Sequence, residues 1–293
     1  MVDSLTGPVA SGSLCSGYGG LDLGVAAVLD LSPRWFADIA PAAVAAHARH
    51  WPGLPNLGDI RTVRWDTVEP VSILTAGYPC QPFSTAGLMK GESDDRHLWP
   101  HIAQAVRVLR PGVVFLENVS GHRSRGLGAV LADLAAMRLR VGWESVRASA
   151  AGAPHRRERV FILAADPGHR DVAEWARRAR RAVGQRQAER QEPDRRRTIP
   201  VRAPDDEWAE FTPAVRHWEH LTGRPAPPPT IPGPRNTNVL APAFMEWLMG
   251  LPAGFACDLD GFSRPDLVSL LGNGVVPQQA THAFVALMTA LFP

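Results

Sequence analysis

A cysteine and a glutamate each stand at or shortly after the end of an apolar segment, where they could do chemistry. Cys80 lies in the segment 77–84 (GYPCQPFS), in which two prolines restrict the backbone on either side of it. A cysteine in such a rigid loop is placed like a nucleophile, whereas most lone cysteines are inert parts of a core. Glu117 directly follows the apolar run 113–116. Burial there would raise its pKa and let it hold or donate a proton, although it could also cap the next helix.

Two arginines and a glycine-rich segment offer binding groups for the same chemistry. Arg157 and Arg159 fall on one face of a strand that includes the apolar run 160–164, and paired guanidiniums suit a carbonyl oxygen, a phosphate or a carboxylate. The segment 15–20 (CSGYGG) allows a ligand to approach the backbone, and Asp38 could accept a hydrogen bond from a ribose. The alternatives are a solvated charge run and an ordinary tight turn. Together the segments indicate a nucleophile, an acid, an oxygen clamp and a site for an adenosine-containing ligand.

The elements that must position these residues alternate between strands and helices. Such alternation predicts an α/β fold with a doubly wound sheet, in which ligands bind beyond the carboxyl ends of the strands. We therefore expect the reactive segments to meet at one edge of the sheet. The predicted strands are 9–14, 35–37, 71–75, 113–116 and 159–164, and the predicted helices are 21–29, 41–50, 98–109 and 127–137.

The character of the chain changes at Asp166. From 166 to 202 there are eleven arginines against six acidic residues, and a proline-rich stretch, 224–234, follows. This composition predicts a small, loop-rich insert with a stiff linker. Apolar helical patterning returns at 243–249, and 278–292 has the pattern of a closing helix.

Length and composition exclude several classes of protein. The 293 residues are 45% hydrophobic and 20% charged, which is enough to bury a core. The sequence contains no apolar run of membrane-spanning length and no signal-peptide pattern at its beginning. Three cysteines are too few for a disulfide scaffold, and no spacing typical of metal ligands occurs. We therefore predict a cytoplasmic protein with no metal and no membrane contact.

The order of these motifs resembles that of the DNA (cytosine-5)-methyltransferases over nearly the whole chain. The segment 246–252 is more similar to phage or prophage members than to the common form. His155 stands where the family has glutamine, and Asp38 stands where it usually has glutamate. The matching segments are 15–22 (CSGYGGLD, the S-adenosylmethionine loop), 58–60 (GDI), 79–84 (PCQPFS), 117–119 (ENV), 155–159 (HRRER) and 271–278 (LGNGVVPQ).

The resemblance implies a fold and a reaction. The fold would be a Rossmann-like methyltransferase sheet with a small loop-rich target-recognition region. The reaction would transfer a methyl group from S-adenosylmethionine to C5 of cytosine in double-stranded DNA, on a flipped-out base. Cys80 would add to C6, Glu117 would hydrogen-bond N3 and N4, and Arg159 with Arg157 would hold the O2 side. Gln81 belongs to the same catalytic motif.

The resemblance also implies cofactor and DNA contacts. S-adenosylhomocysteine would be the product, double-stranded DNA the partner, and a monomer the working form in a bacterial cell or a phage-infected host. The implied domains are 1–165 (catalytic), 166–236 (target recognition and linker) and 237–293 (a segment returning to the catalytic domain). The implied cofactor residues are Cys15, Ser16, Gly17, Gly19, Gly20, Asp38, Ile39, Asp59, Ile60, Pro79, Asn273 and Gly274. The implied DNA contacts are Ser84, Lys90, Arg96, Arg178, Arg181 and Arg196. Alternatively, the arginine-rich run 177–181 is a helix face exposed to solvent.

Three other functions remain open on the sequence. The same chemistry could act on RNA, since one branch of the family modifies tRNA; the arginine-rich insert favours DNA. A nucleic-acid-binding protein that has lost catalysis would not need the reactive residues that are present. A thiol hydrolase could use Cys80 with His97, His101 or His155, but this function leaves the glycine loop unexplained.

Overall fold

A six-stranded sheet forms the centre of the protein. The computed structural model describes residues 7–79, 98–191, 208–234 and 237–293. Across the sheet the order is β2-β1-β3-β4-β6-β5; β1 to β4 run parallel, and β6 runs antiparallel to both of its neighbours. This mostly parallel sheet confirms the predicted α/β class. The strands are β1 (Val9–Leu14), β2 (Leu31–Ala37), β3 (Ile73–Gly77), β4 (Val113–Val119), β5 (Arg140–Arg147) and β6 (Glu158–Ala165).

Helices cover both faces of the sheet, which explains why its central strands are apolar throughout. Along β4, Val114 and Leu116 pack into the core on one face, whereas Val113 and Phe115 pack into the core on the other. The helices are α1 (Gly20–Ala26), α2 (Pro41–His50), α3 (Trp99–Leu109), α4 (Leu127–Ala136), α5 (Val172–Gln191), α6 (Thr212–Thr222), α7 (Pro242–Leu248), α8 (Arg264–Asn273) and α9 (Pro277–Leu291).

The segment predicted to be loop-rich contains two helices, α5 and α6, so that prediction is wrong for these residues. Val172, Trp175, Ala176 and Ala179 of α5 are buried in the same core cluster as α1 and α9. Their spacing is that of one helix face, which the high count of arginines in the segment obscured. The predicted domain boundaries stay predictions.

The C-terminal helices pack around two buried tryptophans. Trp218 of α6 donates its indole N–H to the carbonyl oxygen of Trp247 in α7 at 2.8 Å. Glu246, also buried, accepts hydrogen bonds from the backbone N–H groups of Gly254, Ala256 and Cys257 at 2.8, 2.8 and 2.9 Å. These bonds fix the turn that leads towards α8. A short hairpin of β7 (Thr230–Pro232) and β8 (Asn238–Leu240) lies in the same part of the chain.

The antiparallel direction of β6 decides where its first residues lie. In a parallel strand, the residues that enter the strand would be at the edge opposite to Glu117. Because β6 is antiparallel, Arg159 is instead paired with Val119 at the end of β4, and Gly77 of β3 is paired with Glu117. Among the described residues, the ends of β3 and β4 and the beginning of β6 therefore meet at one edge, and strand direction is the cause for β6. Convergence of Cys80 with them stays a prediction.

A partly buried glutamate on β5 should make the stability of the protein depend on pH. Burial raises the pKa of Glu144 to about 7, and its Oε1 atom has no hydrogen-bond partner among the described residues. At pH values just below 7 the folded protein keeps this proton, whereas the unfolded chain, with the ordinary lower pKa, has lost it. The free energy of unfolding is therefore higher at low pH and falls as pH rises through 7. We expect Glu144→Gln to unfold at a higher temperature than the wild type at pH 8 but not at pH 5, as measured by calorimetry. Glu210→Gln, at an exposed position, is the control; equal pH dependence in all three proteins would contradict the prediction.

Candidate active site

Glu117 is a buried carboxyl group at the carboxyl end of β4. Its side chain is only 7% exposed, and Arg159 Nε lies 2.8 Å from its Oε1 atom. Burial raises the pKa of Glu117 to about 7, although the nearby charges of Arg159 and Arg157 act in the opposite direction. At neutral pH this group is therefore divided between its acid and carboxylate forms. A carboxyl group with such a pKa is able to hold or donate a proton, and its catalytic role stays a prediction.

Two hydrogen bonds join Tyr78, just before Cys80, to the end of β4 and the turn that follows it. Asn118 donates its side-chain N–H to the carbonyl oxygen of Tyr78 at 3.1 Å. The Tyr78 hydroxyl is hydrogen-bonded to His122 Nε2 at 3.0 Å, and both side chains are buried. Tyr78 and His122 were not predicted from the sequence, because nothing in the chain marks a contact between residues 44 positions apart.

Several predicted site residues lie outside the described residues, and their roles stay predictions. They are the catalytic residues Cys80 and Gln81 and the DNA contacts Ser84, Lys90, Arg96 and Arg196.

The glycine-rich segment forms a tight loop between β1 and α1. The backbone at Cys15 and Gly19 is left-handed, with φ of 49° and 81°. Asp38 holds this loop to the start of α2, because its two carboxylate oxygens accept the backbone N–H groups of Gly17 at 2.9 Å and Ala40 at 2.8 Å. Ser16 Oγ is buried and has no hydrogen-bond partner among the described residues. The loop thus presents an unsatisfied polar atom, as a ligand site would.

A cavity joins the glycine loop to Glu117. Asp22, on its wall, accepts hydrogen bonds from Ser13 Oγ at 2.8 Å and Thr75 Oγ1 at 2.6 Å, and burial raises the pKa of Asp22. Five of the predicted cofactor residues are on the wall, whereas Ser13, Leu21, Asp22, Gly77 and Val275 were not among the predicted site residues. The lining residues are Ser13, Cys15, Ser16, Gly17, Leu21, Asp22, Gly77, Glu117, Asn273, Gly274 and Val275.

The other predicted cofactor residues do not line this cavity. Gly19 and Gly20 belong to the loop but lie behind its wall, and Asp38 binds the loop as described. Asp59 accepts hydrogen bonds on both oxygens from Arg61 Nε, at 3.0 and 2.9 Å, and these bonds lower the pKa of Asp59. The remaining three are separate from the cavity wall: Ile60 is part of the hydrophobic core, whereas Ile39 and Pro79 are exposed.

The two arginines predicted to act together have different partners. Arg159 pairs with Glu117, as described. Arg157 instead donates from Nη1 to the carbonyl oxygen of Gly272 at 2.8 Å and from Nη2 to that of Gly274 at 2.7 Å. Both arginines lie at the same edge, and Arg159 is the one that pairs with the acid. The shared role predicted for them at the O2 side of the base stays a prediction. His155 Nε2 is hydrogen-bonded to the carbonyl oxygen of Leu248 at 3.0 Å.

The helix α5, which carries Arg178 and Arg181, begins on the side of the sheet opposite to this cavity. Asp166, which follows β6, donates its backbone N–H to Gly112 just before β4, so α5 begins at the sheet edge opposite to Glu117. Arg178 pairs with Glu174 at 3.4 Å, and Arg181 is exposed. The placement of Arg178 and Arg181 does not support their contact with a duplex at the cavity, and this contact stays a prediction.

Among the described residues, no helix is both long enough and apolar enough to cross a membrane. The same residues contain no group of three or more histidine, cysteine or acidic side chains arranged to hold a metal ion.

Comparison with known proteins identifies the family. The model of the C-5 cytosine-specific DNA methylases matches residues 9–200 of this chain, about two thirds of its length. The chain belongs to this family. The match includes β1 to β6 and therefore Glu117, Arg157 and Arg159.

The regions in which similar proteins match this chain are only part of those proteins. The type II methyltransferase M.NlaX of Neisseria lactamica is 34% identical over 156 residues, which are 51% of this chain and 50% of that protein. A protein of Escherichia phage P1 named DNA N-6-adenine-methyltransferase is 36% identical over 141 residues, 42% of this chain and 19% of that protein. The chain spans half or less of the length of these relatives.

Solved structures share the whole fold of this family member. The Dnmt2 methyltransferase of S. pombe superposes with a TM-score of 0.67 at 15% identity, covering 97% of this chain and 99% of that one. The methyltransferase EhMeth of Entamoeba histolytica gives a TM-score of 0.62 at 14% identity, covering 94% and 96%. At such identities the likeness is one of fold.

The bond between Tyr78 and His122 should contribute measurably to stability. Buried hydrogen bonds contribute about 0.5–1.5 kcal/mol each, and more is lost when one partner is left unpaired. We expect Tyr78→Phe and His122→Leu each to lower the free energy of unfolding in urea. The double variant should lose less than the sum of the two, by about 1 kcal/mol. Additive losses would show that the two side chains do not interact.

Proposed function

We propose that the protein transfers a methyl group from S-adenosylmethionine to C5 of cytosine in double-stranded DNA. The family match supports the reaction class. The observation that carries the proposal is the carboxyl group of Glu117, buried in the cavity beside the glycine loop, paired with Arg159 at 2.8 Å and with a pKa raised to about 7. An acid of this kind suits a heterocyclic base, whose ring nitrogen becomes more basic as the reaction proceeds.

The residues of the cavity fit S-adenosylmethionine. The wall is made largely of glycines and small residues, and a Cβ atom at Gly77 would stand 3.5 Å from the carbonyl oxygen of Cys15 and 3.6 Å from Glu117 Oε2. Ser16 Oγ, buried without a partner among the described residues, would accept or donate a hydrogen bond. We assign the cofactor to Ser16, Gly17, Asn273 and Gly274. When bound, it supplies a methyl group on a positively charged sulfur.

The residues of this chain would then act on the base in turn. The Cys80 thiolate adds to C6 of a flipped-out cytosine, and the electron pair moves towards C5 and N3. Glu117, as the acid, donates a hydrogen bond to N3, while Arg159 keeps its carboxyl group in place. C5 would receive the methyl group that bound S-adenosylmethionine supplies, which leaves neutral S-adenosylhomocysteine as the product. A base would then accept the C5 proton, and the electron pair of that C–H bond would re-form the C5–C6 double bond and expel the Cys80 thiolate. The enzyme is thereby restored.

Substrate and context follow from the same proposal. We propose double-stranded DNA as the substrate and a soluble, monomeric protein in a bacterial or phage-infected cell. The names of the relatives as type II methyltransferases support a role beside restriction enzymes.

Mass spectrometry of nucleosides tests the proposal directly. Unmethylated DNA and tRNA would each be incubated with the protein and S-adenosylmethionine and then digested. 5-Methylcytosine in DNA is the expected result. The same mark in tRNA alone would move the substrate to RNA, and N6-methyladenine would assign the reaction named for the phage P1 relative. Absence of all three marks would overturn the proposed activity.

Replacement of the cysteine tests the covalent step. We expect Cys80→Ser to abolish turnover while binding of S-adenosylhomocysteine, measured by calorimetry, is unchanged. Cys257→Ser is the matched control, because Cys257 belongs to the C-terminal packing around Glu246. Retained methylation by Cys80→Ser would exclude the thiolate mechanism.

Replacement of the acid should have an effect that depends on pH. We expect Glu117→Gln to slow single-turnover methyl transfer by about 10²-fold at pH 6.5, as for a lost general acid. With a pKa of about 7, wild-type Glu117 loses its proton as pH rises, whereas glutamine does not titrate. The ratio of wild-type to variant rate should therefore shrink between pH 6.5 and pH 9. A ratio that is constant with pH would remove Glu117 as the acid.

A further inference from the structure

Arg157 binds the main chain at the C-terminal end of α8. The carbonyl oxygens of the last turn of a helix have no partner within the helix and carry the negative end of its dipole. The Arg157 guanidinium donates one hydrogen bond to Gly272 and one to Gly274, at 2.8 and 2.7 Å. A planar guanidinium can span two carbonyl oxygens at once, which an ammonium group cannot do with the same geometry. Arg157 is therefore a bidentate cap of α8.

Tyr18 holds the same segment from the glycine loop. Its hydroxyl, fully buried, donates to the carbonyl oxygen of Val275 at 2.6 Å. Its ring lies so close to Gly274 that a Cβ atom there would be 1.8 Å from ring atom Cε1. Only glycine at position 274 allows this approach. Tyr18 and Arg157 thus bind neighbouring carbonyl groups of one short segment.

The backbone of Arg157 is itself fixed at the start of α9. Gln279 is fully buried, and its side-chain N–H donates to the carbonyl oxygens of Val146 at 2.7 Å and of Arg157 at 3.1 Å. Arg157, the residue before β6, therefore binds both ends of the connection from α8 to α9: its side chain binds the end of α8, and its carbonyl oxygen binds Gln279 of α9. Between these points Asn273, Gly274 and Val275 form one wall of the cavity.

We propose that Arg157 and Tyr18 form a clamp that positions the segment 272–275 as the cofactor-facing wall of the cavity. Arg157 is then a positioning residue for cofactor binding, whereas Arg159 serves the base. The inference rests on the proposed function, since it names which of two neighbouring arginines serves the cofactor. It predicts that the two arginines affect different steps, although only two positions separate them.

Binding and kinetics distinguish these two roles. The variants are Arg157→Lys, Tyr18→Phe and, as the matched comparison, Arg159→Lys. We expect Arg157→Lys to raise the dissociation constant of S-adenosylhomocysteine, measured by calorimetry, on the order of tenfold, as for the loss of a charge-assisted hydrogen bond. Tyr18→Phe should raise it in the same direction. The rate of methyl transfer at saturating S-adenosylmethionine should change little in both variants. Arg159→Lys should show the reverse, with near-normal affinity and slow transfer.

Hydrogen exchange in the ligand-free protein gives a second readout. Amides of 271–276 should exchange faster in Arg157→Lys and Tyr18→Phe than in the wild type, and no faster in Arg159→Lys. Unchanged affinity and exchange in both clamp variants would overturn the clamp, as would an Arg157→Lys variant that binds normally but transfers slowly. If Arg157→Lys fails to fold, Tyr18→Phe alone decides between these outcomes. Failure of the wild-type protein to bind S-adenosylhomocysteine would instead overturn the proposed function. In that case the comparison of hydrogen exchange between the wild type and the two clamp variants would still test the clamp.

Discussion

The direction of β6 is the constraint on which the site depends. Because β6 runs antiparallel to β4, the residues that enter β6 lie at the edge where β4 ends. Arg159 Nε then stands 2.8 Å from Glu117 Oε1, and this contact supplies the buried carboxyl group with its ion-pair partner, while the charge of Arg157 acts on it in the same sense. Arg157, two residues earlier, reaches the end of α8. One strand therefore supplies both the partner of the acid and the support of the cavity wall.

Charged side chains in this protein repeatedly bind the main chain of loops. Asp38 accepts two backbone N–H groups, Glu246 accepts three, and Arg157 donates to two carbonyl oxygens. Loops at the edge of a sheet have backbone groups that no strand or helix satisfies, and burial of such groups without partners is costly. A charged side chain forms a stronger bond to them than a neutral one. The loops that these three side chains bind thereby gain partners for several of their backbone groups.

The sequence predicted the central strands, the carboxyl end of β4 as the site, and the contact of the glycine loop with the cavity. These features could be predicted because they depend on local sequence patterns, namely continuous apolar runs and glycines at turns. The half-exposed edge strand β5 was missed, since its apolar residues are interrupted by Gly142, Glu144 and flanking arginines. The partners of Arg157 could not be predicted, because they lie 115 and 117 positions away and depend on tertiary packing.

The bond between Tyr18 and Val275 joins residues that are 257 positions apart in the chain. Closing so long a loop costs conformational entropy before any contact is gained, and topologies dominated by such contacts fold slowly. During synthesis the glycine loop and the first strands leave the ribosome long before α8 and α9 do. The apolar side of α1, which α9 covers in the finished fold, must wait uncovered for that time. A chain stopped before α9 would therefore hold most of its active-site residues and still be a substrate for chaperones rather than a catalyst.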